Sequence, residues 1–214
     1  VNYKDVPSAK NFPGKVIAQT QPQANRELDM AASFMRPQPA EVTYEEGIYT
    51  GYRYYTTFKV PVSYEFGFGL SYTTFDYSNL KLNSTKFSNK MTVTVEVKNS
   101  GKGDGKEVVQ LYLTAPGKQL DKPVMELKGF KKTNLLKPGE SQVISFDISR
   151  KDLASFDPKL SSWVAEKGTY TVKIGASSKE IKQTATFNLG SDIVVKKESS
   201  ALLPKGKITE LKTH

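Results

Sequence analysis

From about Tyr72 onward the sequence predicts an all-β fold, an antiparallel sandwich of two sheets. Two observations carry this. Apolar and polar residues alternate in run after run between Tyr72 and Leu189, the period-two signature of half-buried strands. Clusters of Gly, Pro, Asn and Asp separate those runs at fairly regular spacing, as in sandwiches rather than βαβ units.

The runs fall in this order. Thr92–Lys98 alternates, with Val93, Val95 and Val97 on one face. Residues Asn99–Gly105 form a turn cluster. Val109, Leu111 and Leu113 make the next apolar face, and Glu126–Leu136 a looser strand. Pro138-Gly139 places Pro and Gly at the two centres of a turn. Ile144, Phe146 and Ile148 follow, then a short helical turn over Arg150–Asp157. Trp163-Val164 starts another strand, with Trp163 read as a core residue. Gly168 turns the chain into Tyr170, Val172 and Ile174, and the last strand is Gln183–Leu189. Residues 191–214 are a polar, Lys-rich tail in which Ala201-Leu202-Leu203 is suited to docking. Asn83-Ser84-Thr85 fits a glycosylation sequon.

Upstream the character differs. The first 43 residues are rich in turn formers, with one short helix expected from Asn25 to about Met35 behind an Asn25 cap. Residues 44–77 then hold twelve of the 23 aromatics. That density implies packing against something sizeable, and core packing is favoured over sugar stacking. Gly67 and Gly69 permit a tight, close-packed turn there.

Composition excludes several chemistries. There is no Cys, and the only His is His214, the last residue. Thiolate sites and histidine-based triads or zinc sites are therefore not expected, nor is any cofactor. The net charge is +9, yet residues 1–70 carry seven basic and seven acidic residues. The excess lies downstream, where lysines alternate with apolar residues as solvated outer faces. That pattern argues against nucleic acid as a partner. No apolar run is long enough for a membrane-spanning helix. The chain opens on Val1-Asn2-Tyr3 with no initiator Met, and reads like the middle of a longer polypeptide.

Several segments resemble family 3 glycoside hydrolases of the β-glucosidase type. Tyr44–Tyr55 (YEEGIYTGYRYY) is similar to their YEEGIYVGYRYY segment, and Tyr64–Phe75 (YEFGFGLSYTTF) to their PFGYGLSYTTF junction. Glu107–Tyr112 resembles GKEVVQLYV. Glu126–Phe130, Leu136–Glu140 and Gly168–Tyr170 recur there in the same order. Asn11-Phe12-Pro13-Gly14 is similar to the loop that follows the LP-x-TF segment. Phe68 departs from a commoner Tyr, Glu65 from a usual Pro, and residues 15–43 form a longer insertion.

The resemblance implies an immunoglobulin/fibronectin-III-like sandwich over 72–190. It would be preceded at 1–71 by the extended tail of an α/β sandwich catalytic domain and followed by a tail at 191–214. It also implies a periplasmic or secreted parent that hydrolyses β-glucosides with retention, which needs two carboxyls about 5–5.5 Å apart. In the family these are an Asp on a barrel and a Glu in the α/β domain, both upstream, so no catalytic residue is expected here.

Adjacent Glu45 and Glu46, read on a strand, would point to opposite faces and flank no single bond. They remain weak substrate-binding candidates together with Arg53, which is expected to pair with one of them. The expected partners are the catalytic domains of the same enzyme, and β-glucoside oligosaccharides through them. Residues 44–71 are expected to self-associate or to fold back on the sandwich. The alternative is a stand-alone carbohydrate-binding or adhesive sandwich.

Overall fold

The computed structural model describes residues 2–17, 40–201 and 206–213. The helix expected over Asn25–Met35, the docking of Leu202 and Leu203, and His214 lie outside these residues. The chain forms two compact units, Val1–Gly47 with Pro204–Leu211, and Ile48–Leu203 with Lys212–His214.

In the first unit a 3-10 turn over Tyr3–Asp5 is held by Asp5, whose carboxylate accepts the Asn2 N–H at 2.8 Å. Lys15–Val16 (β1) then pairs antiparallel with Ala40–Glu41 (β2).

The second unit holds two short helices, α1 (Tyr52–Thr57) and α2 (Arg150–Leu153). Its strands are β3 (Phe75–Leu82), β4 (Lys90–Asn99), β5 (Val108–Thr114), β6 (Glu126–Lys132) and β7 (Ser141–Ser149). They continue with β8 (Ser155–Asp157), β9 (Ser162–Ala165), β10 (Gly168–Gly175), β11 (Ile181–Leu189) and β12 (Ile193–Lys197). One sheet has the order β3-β4-β7 and the facing sheet the order β11-β10-β5-β6. A third, β12-β9-β8, closes one end. All strand ladders among the described residues are antiparallel.

The two larger sheets share one core, and the alternation in the sequence is what fills it. Val93, Val95 and Val97 of β4 and Ile144, Phe146 and Ile148 of β7 face Val109, Leu111 and Leu113 of β5 and Tyr170, Val172 and Ile174 of β10. All are buried. Tyr170 is also the corner of the sandwich. Its hydroxyl donates to the Glu166 carbonyl at 2.8 Å, the backward bond that fixes the entry to this strand in immunoglobulin-like folds. At the other end Asn99 is fully buried with its amide satisfied. Nδ2 donates to the carbonyls of Gly103 and Leu136, both at 2.8 Å, and Oδ1 accepts from Thr73 Oγ1 at 2.7 Å. Gly139, at φ +85°, takes the turn position that the Pro-Gly pair announced.

Some local expectations change. Trp163 is 41% exposed and is not a core residue. In β9 the inward positions go to Ser162, Val164 and Ala165, and Trp163 points outward to pack against Phe156 at 5.6 Å. The helical turn ends at Leu153, where Asp152 accepts from both the Ser149 N–H and hydroxyl. Residues Ser155–Asp157 are strand instead. The looser strand stops at Lys132, because Thr133 turns to accept the Glu107 N–H through Oγ1. Part of the expected tail is strand β12, paired with β9. The Asn83 side chain is engaged, its oxygen accepting the Thr92 N–H at 3.0 Å.

Glu107 sits half-buried behind β3. Tyr77 donates its hydroxyl to Glu107 Oε1 at 2.7 Å. Burial pushes the Glu107 carboxyl up, the Tyr77 bond opposes this, and Glu180 adds to the rise. A carboxyl raised on folding binds its proton more tightly in the folded state. Its contribution is therefore fully present below the unfolded carboxylate range and lost as pH rises through the folded value.

Two expectations follow from this core. Val95→Asp or Ile174→Asp places a carboxylate where nothing pairs it, and should cost at least about 3 kcal/mol. Urea unfolding measures it, and a near-normal midpoint would reverse the strand register. Glu107→Gln keeps an acceptor for Tyr77 and removes the buried charge. It should stabilise the fold at neutral pH by about 1 kcal/mol, with the difference vanishing toward about pH 4. Paired unfolding curves at the two pH values check this.

Candidate functional site

The feature that the sandwich does not need for its own closure is the arm from Ile48 to Leu70, which folds back on the second unit. Gly51, at φ +55°, lets the chain enter α1. The helix ends with Lys59 at φ +55° and Val60 N–H bonded to the Tyr55 carbonyl at 3.0 Å. This is a left-handed helix cap, a position usually given to glycine. A lysine there costs roughly 1–2 kcal/mol.

The arm is fastened to the loop between β5 and β6. Tyr49 is buried and donates to Asp121 Oδ2 at 2.7 Å, and Asp121 also accepts the Thr213 N–H at 3.1 Å. Burial and the Asp121 carboxylate push the Tyr49 hydroxyl far above the usual phenol range. Thr57 Oγ1 accepts the Val124 N–H at 3.1 Å, and the Tyr52 oxygen accepts the Leu127 N–H at 2.7 Å. The Tyr52 ring stacks on Phe66 at 4.7 Å and meets the edge of buried Tyr112.

Farther along the arm, Gln110 is the anchor. Its amide donates to the carbonyls of Gly67 at 3.3 Å and Ala176 at 2.5 Å, and its oxygen accepts from Tyr112. Gly67, at φ +81°, approaches so closely that an added Cβ would lie 2.3 Å from Gln110 Oε1. Ser177 Oγ donates to Glu65 Oε1, and the Ser178 N–H to the Phe66 carbonyl, each at 2.8 Å.

The loop itself is held by a buried ion pair. Lys122 Nζ meets Glu166 Oε2 with both side chains almost fully buried. Glu166 Oε1 also accepts the Gln119 N–H at 2.7 Å. Removing one partner of such a pair costs about 3–5 kcal/mol.

Between the arm and the β10–β11 loop lies a cleft of about 620 Å³. Tyr52, Tyr55, Tyr64 and Phe66 form its aromatic wall, and Lys59, Glu65, Ser178 and Lys179 supply its polar groups. A smaller, polar hollow of about 340 Å³ in the first unit is lined by Lys10, Asn11, Glu41 and Glu45 among others.

The structure separates the candidates named from sequence. Glu45 and Glu46 lie in irregular backbone, not on a strand. Glu45 binds Lys10 at 2.7 Å, and hydrogen bonds from Lys10 and Asn11 hold its carboxyl below the usual range. Glu46 is buried. The ion pair of Arg53 is with Glu126 Oε1 at 3.6 Å, not with either glutamate, because α1 lies along the start of β6. Core packing holds for Tyr49 and Tyr77, but Tyr44, Tyr64, Phe66, Phe68 and Tyr72 are exposed. Gln110, Asp121, Lys122 and Glu166 were not singled out. Only Gln110 carried a signal, as a polar residue inside the apolar run Val108–Leu113.

Residues 107–178 match the fibronectin type III-like domain family. The β-glucosidase of Ruminococcus albus is 36% identical over 206 residues, covering 94% of this chain and 19% of that protein. β-Glucosidase A of Butyrivibrio fibrisolvens is 39% identical, covering 76% of this chain and 22% of that protein. Among solved structures, β-glucosidase 3B from Thermotoga neapolitana in complex with α-D-glucose superposes with a TM-score of 0.75 at 44% identity. The superposition covers 91% of this chain and 24% of that one. Along most of its length the chain is thus homologous to family 3 glycoside hydrolases of the β-glucosidase type and carries their fibronectin type III-like region. It spans about a fifth of the length of these curated relatives.

Gly67→Ala should detach the arm without unfolding the sandwich. Amide exchange within residues 64–70 is expected to speed up by at least tenfold, equivalent to about 1.4 kcal/mol of lost local stability. Exchange in β4 and β10 should stay unchanged. Protection that survives in the arm would show that Gln110 is not its anchor.

Proposed function

We propose that this chain is the accessory part of a β-glucosidase-type family 3 glycoside hydrolase, bracing its catalytic domains rather than performing the hydrolysis. On this reading residues 72–190 are the fibronectin type III-like brace, 1–71 are the end of the α/β catalytic domain, and 191–214 are a tail. The parent cleaves the glycosidic bond of β-glucosides with retention. The carboxyl pair lies in its other domains, and Glu45, Glu46 and Arg53 have no direct part in the chemistry.

The observation that carries this reading is the docking of residues 48–70 on the sandwich through Asp121, Val124, Leu127 and Gln110. A domain that grips the polypeptide immediately upstream of itself is built to hold upstream structure in place. Four of the arm's seven hydrogen bonds described above involve a backbone N–H or carbonyl of the arm or of the loop that receives it. Such bonds fix position with little dependence on side-chain identity. The exposed apolar residues Phe68, Leu70 and Tyr72 then form a surface for the catalytic domains of the same enzyme. Apolar patches of this kind mark interaction sites. Without those domains the same surface favours self-association through residues 44–71.

A chimera tests the reading. This chain replaces the matching segment of the Thermotoga neapolitana enzyme, and hydrolysis of an aryl β-glucoside is followed alongside thermal inactivation. The chimera should be active and the chain alone inactive. Gly67→Ala in the chimera should speed inactivation several-fold while leaving the pH profile of kcat unchanged. Turnover by the chain alone, lost on Glu45→Gln or Glu46→Gln, would sink the proposal.

A further inference from the structure

We propose that the cleft between the arm and the β10–β11 loop is a binding site for a neutral, polyhydroxylated ligand, a pyranoside of one or two rings, separate from any catalytic centre. The argument rests on the cleft alone and not on the bracing role.

Three features point to this chemistry. The first is the lining. Tyr52, Tyr55, Tyr64 and Phe66 give aromatic surface, while Lys59, Lys179, Ser178 and Glu65 give polar groups of both signs. A hydrocarbon would leave the ammonium groups and the carboxylate without partners. An anion would be opposed by Glu65 and a cation by Lys59 and Lys179. A neutral polyol satisfies donors and acceptors together, because each hydroxyl both donates and accepts. When its ring hydroxyls are equatorial, a pyranose also presents flat C–H faces that pack on aromatic rings.

The second is size. A cleft of about 620 Å³ lies within the usual range for small-ligand sites, about 300–1,000 Å³.

The third is backbone strain. Lys59 lines the cleft from a left-handed conformation, at φ +55°. Glycine would hold that cap without cost, so the cap does not explain the lysine. A strained residue facing a cleft is a pointer to ligand contact. The scaffold around it is fixed. Glu65 is oriented by Ser177 and the Ser178 N–H is tied to Phe66, each at 2.8 Å, so the polar groups converge before any ligand arrives.

The test is an amide chemical-shift titration of this chain with cellobiose, laminaribiose and methyl β-glucoside, with Tris chloride and sodium benzoate as cationic and anionic controls. Saturable shifts at Lys59, Phe66 and Ser178 with millimolar Kd are expected for at least one sugar and for neither control. Two variants make the result specific. Tyr64→Ala removes an exposed wall residue and should weaken binding at least tenfold. Lys59→Gly relieves the strained cap, so it should raise Tm while weakening binding. A purely structural role for Lys59 would not produce that split. Absence of saturable shifts overturns the proposal, as does binding unchanged in both variants. So do shifts confined to the Phe156–Trp163 face, which would put the sugar elsewhere. Concentration-dependent shifts without sugar would show that a second copy fills the cleft, and would equally overturn it. Loss of the sugar site leaves the chimera experiment unaffected, so the two proposals fail separately.

Discussion

Glu166 is the residue on which the second unit's organisation turns. Its carbonyl receives the hydroxyl of Tyr170, the corner of the sandwich, at 2.8 Å. Its carboxylate is buried against Lys122 and accepts the backbone N–H of Gln119. A carboxylate taken out of water is tolerated only when paired and hydrogen-bonded, and here each partner belongs to the β5–β6 loop. The constraint works in both directions. The core fixes Tyr170, Tyr170 fixes the Glu166 backbone, and the carboxylate then dictates the shape of the loop. That loop carries Asp121 and Val124, the groups that receive Tyr49 and Thr57. The order of the arm is therefore inherited from a charge buried beside the core.

The opposite end of the sandwich follows the same rule with a neutral residue. Asn99 is inaccessible to solvent, and Thr73, Gly103 and Leu136 satisfy its amide. Its backbone closes the turn before β7, donating to the Glu140 carbonyl and accepting the Gly139 N–H. Buried polar groups of this kind add little net stability when paired and cost heavily when orphaned. Their effect is to select one arrangement of loops over competitors. Apolar alternation decides that two sheets face each other, and Asn99 and Glu166 decide how the connections at either end are seated.

That division explains what the sequence disclosed. The alternating strands were legible because burial on one face writes a period of two directly into neighbouring residues, as in Val93, Val95 and Val97. The Pro138-Gly139 turn was legible because a positive φ demands glycine locally. Arg53 was misread because its partner Glu126 lies far along the chain, and no local pattern distinguishes that carboxylate from Glu46. Trp163 was misread because a large apolar residue at a strand start suggests the core, whereas the small inward neighbours Ser162 and Ala165 had already taken the inside. Strand β12 escaped notice because a short apolar run among lysines lacks the length to show alternation. The aromatic density of residues 44–77 was visible, but its partition into buried, half-buried and exposed rings depends on the loop that Glu166 shapes. The cleft is a product of that partition and left no separate trace in the sequence.

The arm and the sandwich consequently differ in what holds them. The sandwich core is a continuous apolar cluster with fully buried members from both sheets, and burial of that extent is worth more than any of its hydrogen bonds. The arm has one fully buried large ring, Tyr49, and otherwise half-buried or exposed side chains joined to the loop by polar contacts. Segments of that kind open at lower free energy than the core they rest on. The cleft is bounded by the arm on one side and the β10–β11 loop on the other. A ligand or a neighbouring domain that fills it gains contacts only when the arm is seated, so its binding energy adds to the arm's stability. The sandwich is the fixed reference in that linkage. The arm is the element whose order a partner can change, and Gln110, tied at once to Gly67 and Ala176, is the residue through which the two sides of the cleft are coupled.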